Sequence, residues 1–286
     1  MDADNTHVSV DALKNMVIYF NEPNVMCVSP AMAIYNPKGV LQRVQQVEYM
    51  LGVYLRKAFS TLNAEHITPG AFSVYRKSFF DKHGGFDEHN LTEDLEVALR
   101  IQANNYVIRT SLNAVVYTDA PNTFNGLLKQ RRRWYTGLLR NLWDYRRLFS
   151  KKYGALGLIV LPVAILTFLI SVLLTILISI KSIINLKNEI ILLQSVNFHF
   201  SSIFEINRFI FERYLFYFFS DPKSIFFIIF ILILVGYMMF SKHFVKKYSS
   251  INLSIFLFSL FYSFLFAFWW TISFIYTLFN RRVSWR

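Results

Sequence analysis

The sequence predicts an α/β domain followed by a bundle of membrane-embedded helices. Short apolar runs alternate with helical patterns from residue 1 to about 120, which is typical of an α/β layer. Long stretches without charge follow, and 54% of the 286 residues are hydrophobic while only 17% are charged. An ordinary soluble domain is less apolar. We therefore predict an α/β unit at 1–122, an amphipathic region at 123–152 and a transmembrane region at 153–286.

Two segments of the first unit have the composition of strands, and the first of them looks buried. Residues 25–35 and 106–118 are rich in β-branched and aromatic side chains, which favours strand structure. The single cysteine, Cys27, lies in the first of them. One cysteine cannot form an intrachain disulfide, so a small core residue is expected. Between the strands, Leu41, Val44, Val47 and Leu51 repeat at helical spacing and predict a helix packed on the sheet.

The region at 124–152 is helical in pattern and strongly basic. Nine lysine or arginine residues lie between positions 129 and 152, against the single acid Asp144. Leucine and tryptophan side chains are interspersed among them, as in helices that lie at a bilayer surface. A basic run beside an apolar span marks the cytoplasmic flank of a membrane protein. The net charge of +12 is thereby explained, and no nucleic-acid partner is expected.

Three apolar stretches predict transmembrane spans, near 154–180, 224–241 and 250–279. The first has 27 residues without a charge, enough to cross a hydrocarbon core of about 30 Å with some tilt. Between the first two, Glu205, Arg208, Glu212 and Arg213 interrupt the segment 190–220. Charged groups inside a membrane are unfavourable unless paired, so an interfacial position is predicted. Whether the chain has three or four spans stays open.

An acidic pair stands at the start of the sequence, in Asp2-Ala3-Asp4. In an extended segment the two carboxylates point to the same face and can share a hard divalent cation, Mg²⁺ or Mn²⁺. Such an ion would neutralise a diphosphate. Because so short a motif also recurs by chance in solvated turns, the prediction of Asp2 and Asp4 as metal ligands depends on the motifs that follow.

The second motif is Thr92-Glu93-Asp94, which follows the G-G-F-D segment at 84–87 and precedes a helical run at 95–103. One interpretation is an N-cap threonine with two acids in the first turn, where the helix dipole favours them. The same position would keep Asp94 ionised and available as a general base toward a hydroxyl. Both interpretations can hold together.

The third motif is Q-R-R-R-W at 130–134. Helical geometry places Gln130 and Arg133 on one face with Trp134 beside them. Arginine binds phosphate with two parallel hydrogen bonds, and tryptophan offers a flat apolar face to a sugar ring. The alternative is a basic membrane-surface helix with an interfacial tryptophan. A further segment, P-G-A-F at 69–72, provides in Gly70 a place where the backbone can approach a ligand closely.

Together and in this order, these motifs resemble those of the processive family-2 glycosyltransferases, the group of cellulose, chitin, hyaluronan and poly-N-acetylglucosamine synthases. The resemblance covers residues 1 to about 150, and the predicted spans fit it. It implies a cytoplasmic GT-A-type domain joined by interfacial helices to a transmembrane bundle. The protein is accordingly expected in the cell membrane as a multi-pass enzyme with its catalytic part in the cytoplasm.

The resemblance also implies roles for individual residues. Asp4 would hold the metal on the diphosphate of a nucleotide-sugar donor, which the resemblance implies to be a UDP-sugar, and Asp94 would deprotonate the acceptor hydroxyl. Gln130 and Arg133 would address the diphosphate and acceptor ends of the site, and Trp134 would stack on the acceptor sugar. Glu93 and Gly70 would take part in substrate binding. The reaction would invert the anomeric carbon, and the product would be a growing polysaccharide.

Family members carry about half a nucleotide-binding domain ahead of the first acidic motif, and the sequence before Asp2 has no room for it. The expectation is therefore a chain that turns over no nucleotide sugar alone, with a partner supplying the other half, or an inactive fragment or subunit. A non-processive enzyme that glycosylates a lipid acceptor is a further alternative, since related enzymes of that kind share the Q-x-x-R-W motif.

Overall fold

A four-stranded mixed sheet forms the centre of the first 120 residues. The computed structural model describes residues 5–195, 208–245 and 252–279. The strands are β1 (Asn5–Val8), β2 (Val25–Ile34), β3 (Val74–Tyr75) and β4 (Val107–Thr118). Their order is β1-β4-β2-β3, with β2 parallel to β4 and the two outer strands antiparallel to their neighbours. The predicted α/β unit thus contains a mixed sheet whose two long strands are central.

The central strand β2 is buried along its entire length. This explains its composition, because a strand covered on both faces reads as a nearly continuous apolar run rather than as an alternating one. Cys27 is a free, fully buried thiol in this strand. The predictions of two strands, of which the first is buried, and of a cysteine in the core are therefore confirmed.

Five α-helices lie between residues 12 and 144: α1 (Ala12–Val17), α2 (Gly39–Thr61), α3 (Lys77–His83), α4 (Glu93–Ala103) and α5 (Phe124–Asp144). They pack against different parts of β2 and β4. Val44 and Val47 of α2 lie in one core cluster with Ala31 and Ala33 of β2. Helix α4 packs with Cys27, and α1 packs with Val28. The helix predicted from the repeat at 41–51 is the start of α2.

The basic region does not continue as one helix to residue 152. Helix α5 ends at Asp144, and two short 3₁₀ turns follow at Arg146–Leu148 and Lys151–Tyr153. A π-helical turn at Leu156–Val160 then leads into α6, Leu161–Ser195. At Gly157 the turn is so close to the preceding segment that an added Cβ would lie 2.3 Å from the carbonyl oxygen of Ser150. Glycine is therefore required where the apolar helix leaves the domain.

The rest of the described chain is helical: α7 (Arg208–Ser220), α8 (Pro222–Val245) and α9 (Asn252–Leu278). Helices α8 and α9 cover α2, since Met238 of α8 and Ile255, Phe258 and Trp269 of α9 lie in its core cluster. Part of the predicted interfacial segment, 196–207 with Glu205, lies outside the described residues.

Two described helices are long and apolar enough to cross a membrane, Leu156–Asn188 with 33 residues and Pro222–Val245 with 24 residues. Only 11% of the most apolar part of each is buried within the protein. A core helix of a soluble protein would be covered on most sides. The first of these helices extends past position 180, where the charge-free stretch ends, and α9 occupies most of the third predicted span.

Candidate functional site

A cavity of about 690 Å³ opens where the segment before β3 meets the first turn of α4. Six of the residues that line it matter for its chemistry: Gly70, Phe72, Tyr75, Phe86, Glu93 and Asp94. Three of these, Gly70, Glu93 and Asp94, are predicted site residues. Gly70 precedes the two adjacent acids by 23 and 24 positions in the sequence. The fold therefore brings the P-G-A-F segment and the T-E-D motif into one wall.

Asp94 is held by the backbone around it. Its Oδ1 accepts a hydrogen bond of 2.7 Å from the N–H of Leu95, and its carbonyl oxygen accepts one of 3.0 Å from the hydroxyl of Thr68. Burial raises the pKa of Asp94 to about 6, and the charge of Glu93 acts in the same direction. The backbone N–H groups of Leu95 and Gly70 and the charge of Arg133 lower this pKa again. At neutral pH the carboxylate is therefore mostly ionised, yet basic enough to accept a proton.

Thr92 occupies the N-cap position of α4 and the two acids that follow it lie in the first turn, as predicted, where Glu96 joins them. The hydroxyl of Thr92 makes no capping hydrogen bond, however. The hydroxyl oxygen instead accepts a hydrogen bond of 3.0 Å from the amide of Asn141 on α5, which is buried. Asn141 also exchanges hydrogen bonds with Asn90, just before the motif. The T-E-D motif is thus fixed to α5 rather than capped by its own threonine.

Gly137 of α5 permits this close contact. An added Cβ at this position would lie 2.4 Å from Oγ1 and 2.7 Å from Cγ2 of Thr92. Gly137 lies one helical turn after Arg133, so the turn of α5 that touches Thr92 is next to the Q-x-x-R-W motif. The two motifs are therefore coupled through direct helix packing.

The P-G-A-F segment bends at Phe72 and not at its glycine. Phe72 has a φ of +57°, which non-glycine residues rarely adopt, whereas Gly70 is not among the residues with positive φ. Phe72 lines the cavity with Gly70. Strained backbone of this kind concentrates at functional sites.

The residues predicted on α5 lie near the cavity without lining it. Among the described residues that line the cavity, none belongs to α5. Arg133 is close enough for its charge to lower the pKa of Asp94. The side-chain oxygen of Gln130 is buried and has no hydrogen-bond partner within the described part of the chain. Trp134 is half-buried beneath the guanidinium of Arg131, which lies 4.3 Å from the ring centroid.

Asp2 and Asp4 lie outside the described residues. Across residues 5–195, 208–245 and 252–279, no group of three or more histidine, cysteine, aspartate or glutamate side chains could hold a metal ion. The prediction of a divalent cation at Asp2 and Asp4 therefore stays a prediction, and the acids at the cavity, Glu93 and Asp94, do not form a metal cluster by themselves.

Three residues of this region were not predicted from the sequence. Phe86 and Tyr75 line the cavity with Asp94, and Arg131 is fully buried in an ion pair with Glu48 of α2. The sequence does contain a signal for Phe86. A large apolar side chain in a glycine-rich loop lies away from the hydrophobic core, so it is a candidate for ligand contact. Nothing in the sequence distinguishes Arg131 from the two arginines that follow it.

The sequence model of the family described as "Glycosyl transferase family group 2" matches residues 1–281. The chain belongs to this family. The resemblance inferred from the motifs is therefore confirmed at the level of the family, and the match extends through α9, well beyond the 150 residues that carry the motifs.

Curated relatives are similar over about half of the chain. A poly-beta-1,6-N-acetyl-D-glucosamine synthase of Staphylococcus epidermidis is 30% identical over 151 residues, which are 50% of this chain and 36% of that protein. The protein of the same name from Staphylococcus aureus (strain COL) is 31% identical over 150 residues, with the same shares. The match thus spans little more than a third of the length of these relatives.

Proposed function

We propose that this protein is a membrane-bound, inverting glycosyltransferase that adds N-acetylglucosamine from a UDP-linked donor to a growing β-1,6-linked polysaccharide. Family membership supports the transfer of a sugar. The name shared by the relatives supports the sugar and the polymer. The observation that carries the proposal is the carboxylate of Asp94, buried in a cavity wall with a pKa of about 6.

Asp94 is proposed as the base that removes the proton of the acceptor hydroxyl. A general base works best when its pKa is close to the operating pH, because it is then both ionised and basic. The N–H of Leu95 holds the carboxylate, and the hydroxyl of Thr68 holds the backbone carbonyl oxygen of Asp94. The deprotonated hydroxyl would attack the anomeric carbon in line with the leaving diphosphate, so that a single displacement inverts that carbon.

Arg133 and Gln130 are proposed to bind the donor diphosphate and the acceptor. A guanidinium close to Asp94 stabilises negative charge that develops on the leaving group. The amide oxygen of Gln130 is buried and has no hydrogen-bond partner among the described residues, so it is suited to accept a hydrogen bond from a sugar hydroxyl. Trp134 is proposed to stack on the acceptor sugar, with its indole held by Arg131.

A divalent cation, Mg²⁺ or Mn²⁺, belongs to the proposal through Asp2 and Asp4, which lie outside the described residues. When bound, such an ion neutralises the negative charge of a diphosphate.

The proposed location is the cell membrane, with the α/β domain in the cytoplasm. Two long apolar helices expose most of their surface, which suits contact with lipid. The basic flank at 129–152 favours the cytoplasmic side for the domain that precedes it.

The experiment measures transfer in membranes of cells that express the gene from its own locus. Membranes with wild-type protein, Asp94→Asn and Asp87→Asn receive UDP-N-acetylglucosamine labelled in the sugar. Asp87 is a carboxylate of the adjacent loop that is exposed and accepts a backbone hydrogen bond from His89. Loss of the general base should lower transfer by about 10²–10⁴-fold. The Asp87 variant should transfer like the wild type.

Product analysis decides the remaining parts of the proposal. A ladder of polymers with the anomeric configuration opposite to that of the donor supports an inverting polymerase. If the label is found instead in a lipid that carries a single sugar, the protein is the glycolipid-forming enzyme of the alternative hypothesis. Transfer by Asp94→Asn at the wild-type rate would refute the proposed function.

A further inference from the structure

We propose that Phe86 is a sugar-binding residue, against whose ring the acceptor pyranose stacks beside Asp94. This inference rests on the proposed function and deepens it by naming a substrate contact on the loop that precedes the T-E-D motif. Phe86 lines the cavity, whereas Trp134 belongs to α5, which does not, so the two proposed contacts are distinct.

The position of Phe86 in the cavity is the first observation. Its side chain is 47% exposed, and it lines the same cavity as Asp94 and Glu93. Ligand sites combine apolar, often aromatic walls with a few polar groups that fix orientation. Here the aromatic wall and the carboxylates are adjacent, which suits a pyranose with apolar C–H faces and a rim of hydroxyl groups.

The packing of the ring is the second observation. Phe86 meets Tyr75 edge to face, with centroids 5.6 Å apart and an interplanar angle of 89°. It also contacts Phe80, with centroids 5.1 Å apart and an angle of 44°. These two contacts hold the ring from within the domain, while nearly half of its surface stays open. A fixed aromatic face binds a ligand at a lower entropic cost than a mobile one.

The anchoring of the loop is the third observation. The guanidinium of Arg100 donates hydrogen bonds of 2.7, 3.0 and 2.7 Å to three successive carbonyl oxygens at positions 83–85. At the other end, the side chain of Asn90 donates a hydrogen bond of 2.7 Å to Asn141 of α5. Phe86 therefore lies in a short segment that is tied at both ends, as expected for a preorganised contact.

The test combines steady-state kinetics of leucine variants with ligand binding by tryptophan variants. Phe86→Leu removes the aromatic face but keeps an apolar side chain. Phe124→Leu is the matched control, because Phe124 is 46% exposed and does not line the cavity. Transfer from UDP-N-acetylglucosamine to an added β-1,6-linked N-acetylglucosamine trisaccharide is measured in native-locus membranes. Phe86→Leu should raise the acceptor KM by about 3- to 10-fold with little change in kcat, since stacking binds substrate and transition state alike.

Binding is measured independently of turnover with Phe86→Trp. The purified full chain is titrated with the trisaccharide, and tryptophan fluorescence is recorded for this variant and for the wild type. The trisaccharide should change the fluorescence of the variant more than that of the wild type. The same substitution at Phe124 should give no such change. Phe86→Trp should also transfer with a KM near that of the wild type, because it restores a flat ring.

The outcomes separate this inference from the proposed function. Asp94-dependent transfer with an unchanged acceptor KM in Phe86→Leu overturns the role of Phe86 and leaves the proposed function intact. Transfer that does not depend on Asp94 refutes the proposed function, and the fluorescence titration alone then decides whether the cavity binds the trisaccharide at Phe86. A titration without response overturns the inference in that case.

Discussion

The contact between Gly137 and Thr92 leads to a sharp prediction for Gly137→Ala. The new Cβ would lie 2.4 Å from Oγ1, 2.7 Å from Cγ2 and 3.1 Å from Cβ of Thr92. A comfortable contact needs roughly 1 Å more, so α5 and the T-E-D motif must separate by about that amount. Because Asp94 is two residues after Thr92 and Arg133 is one turn before Gly137, the separation displaces both sides of the proposed site.

The expected effects on stability and on activity differ in size. Overpacking costs about 1–3 kcal/mol, while alanine is favoured over glycine in a helix by about 1 kcal/mol. The net loss is about 0–2 kcal/mol, a decrease in Tm of at most about 8 °C. A displacement of about 1 Å in the site can lower turnover by about 10²-fold. Gly137→Ala should therefore be a folded protein with little transfer activity.

The single buried thiol, Cys27, supplies the stability assay, because a thiol-reactive dye labels it only after unfolding. The control is Gly52→Ala on α2, where the nearest atom to an added Cβ is 3.8 Å away. This variant should keep its transfer rate, and its Tm should rise by about 2–4 °C because alanine favours the helix without a clash. Adding Thr92→Ala to Gly137→Ala removes the two closest atoms and should restore part of the activity. Wild-type transfer by Gly137→Ala would refute the coupling of the two motifs.

Three further predictions concern other contacts. Burial raises the pKa of Glu65 from 4.5 to about 7, so the folded state binds the proton more tightly than the unfolded state does. The stability of the protein therefore falls as pH rises from about 4.5 to about 7. The Tm of Glu65→Gln should lack this pH dependence. Arg131→Ala leaves the Glu48 carboxylate without its buried partner and should cost about 3 kcal/mol. Adding Glu48→Gln should recover part of this loss. In Gly157→Ala the added Cβ would lie 2.3 and 2.4 Å from two backbone carbonyl oxygens, so the folded yield in membranes should fall. Gly236→Ala is the control, because its added Cβ has no atom within 4 Å.

Each of these predictions has a contradicting result. A Glu65→Gln variant with the same pH dependence of Tm as the wild type would exclude that carboxylate as its source. Fully additive losses in the Arg131 and Glu48 variants would mean that the two side chains do not stabilise each other. Equal folded yields for the two glycine variants would mean that the chain at 148–157 can shift to accept a Cβ.

Local patterns in the sequence predicted the elements that carry the site. The buried strand β2 and the helix α4 follow from composition and spacing, because a fully covered strand and a helix start have strong local signals. Asp94 and Gly70 line one cavity, which the local patterns around them do not show. The roles proposed for Gln130, Arg133 and Trp134 stay predictions.

Other features depend on contacts between residues distant in sequence, which no local pattern records. Thr92 binds Asn141 instead of capping its helix. Arg131 is buried against Glu48 while its neighbours in the same basic run remain partly exposed. The left-handed residue before β3 is Phe72 rather than the nearby glycine. In each case tertiary packing overrides the preference of the residue type.

The pH dependence of kcat/KM for sugar transfer tests the central claim most directly, since it reports the ionisation of the essential base in the free enzyme. The wild type should lose activity as pH falls through about 6, the pKa of Asp94. In Arg133→Gln the midpoint should move to higher pH, because the guanidinium lowers this pKa. An acid limb that stays in place in Arg133→Gln, or that persists in Asp94→Asn, would contradict the assignment of Asp94 as the base.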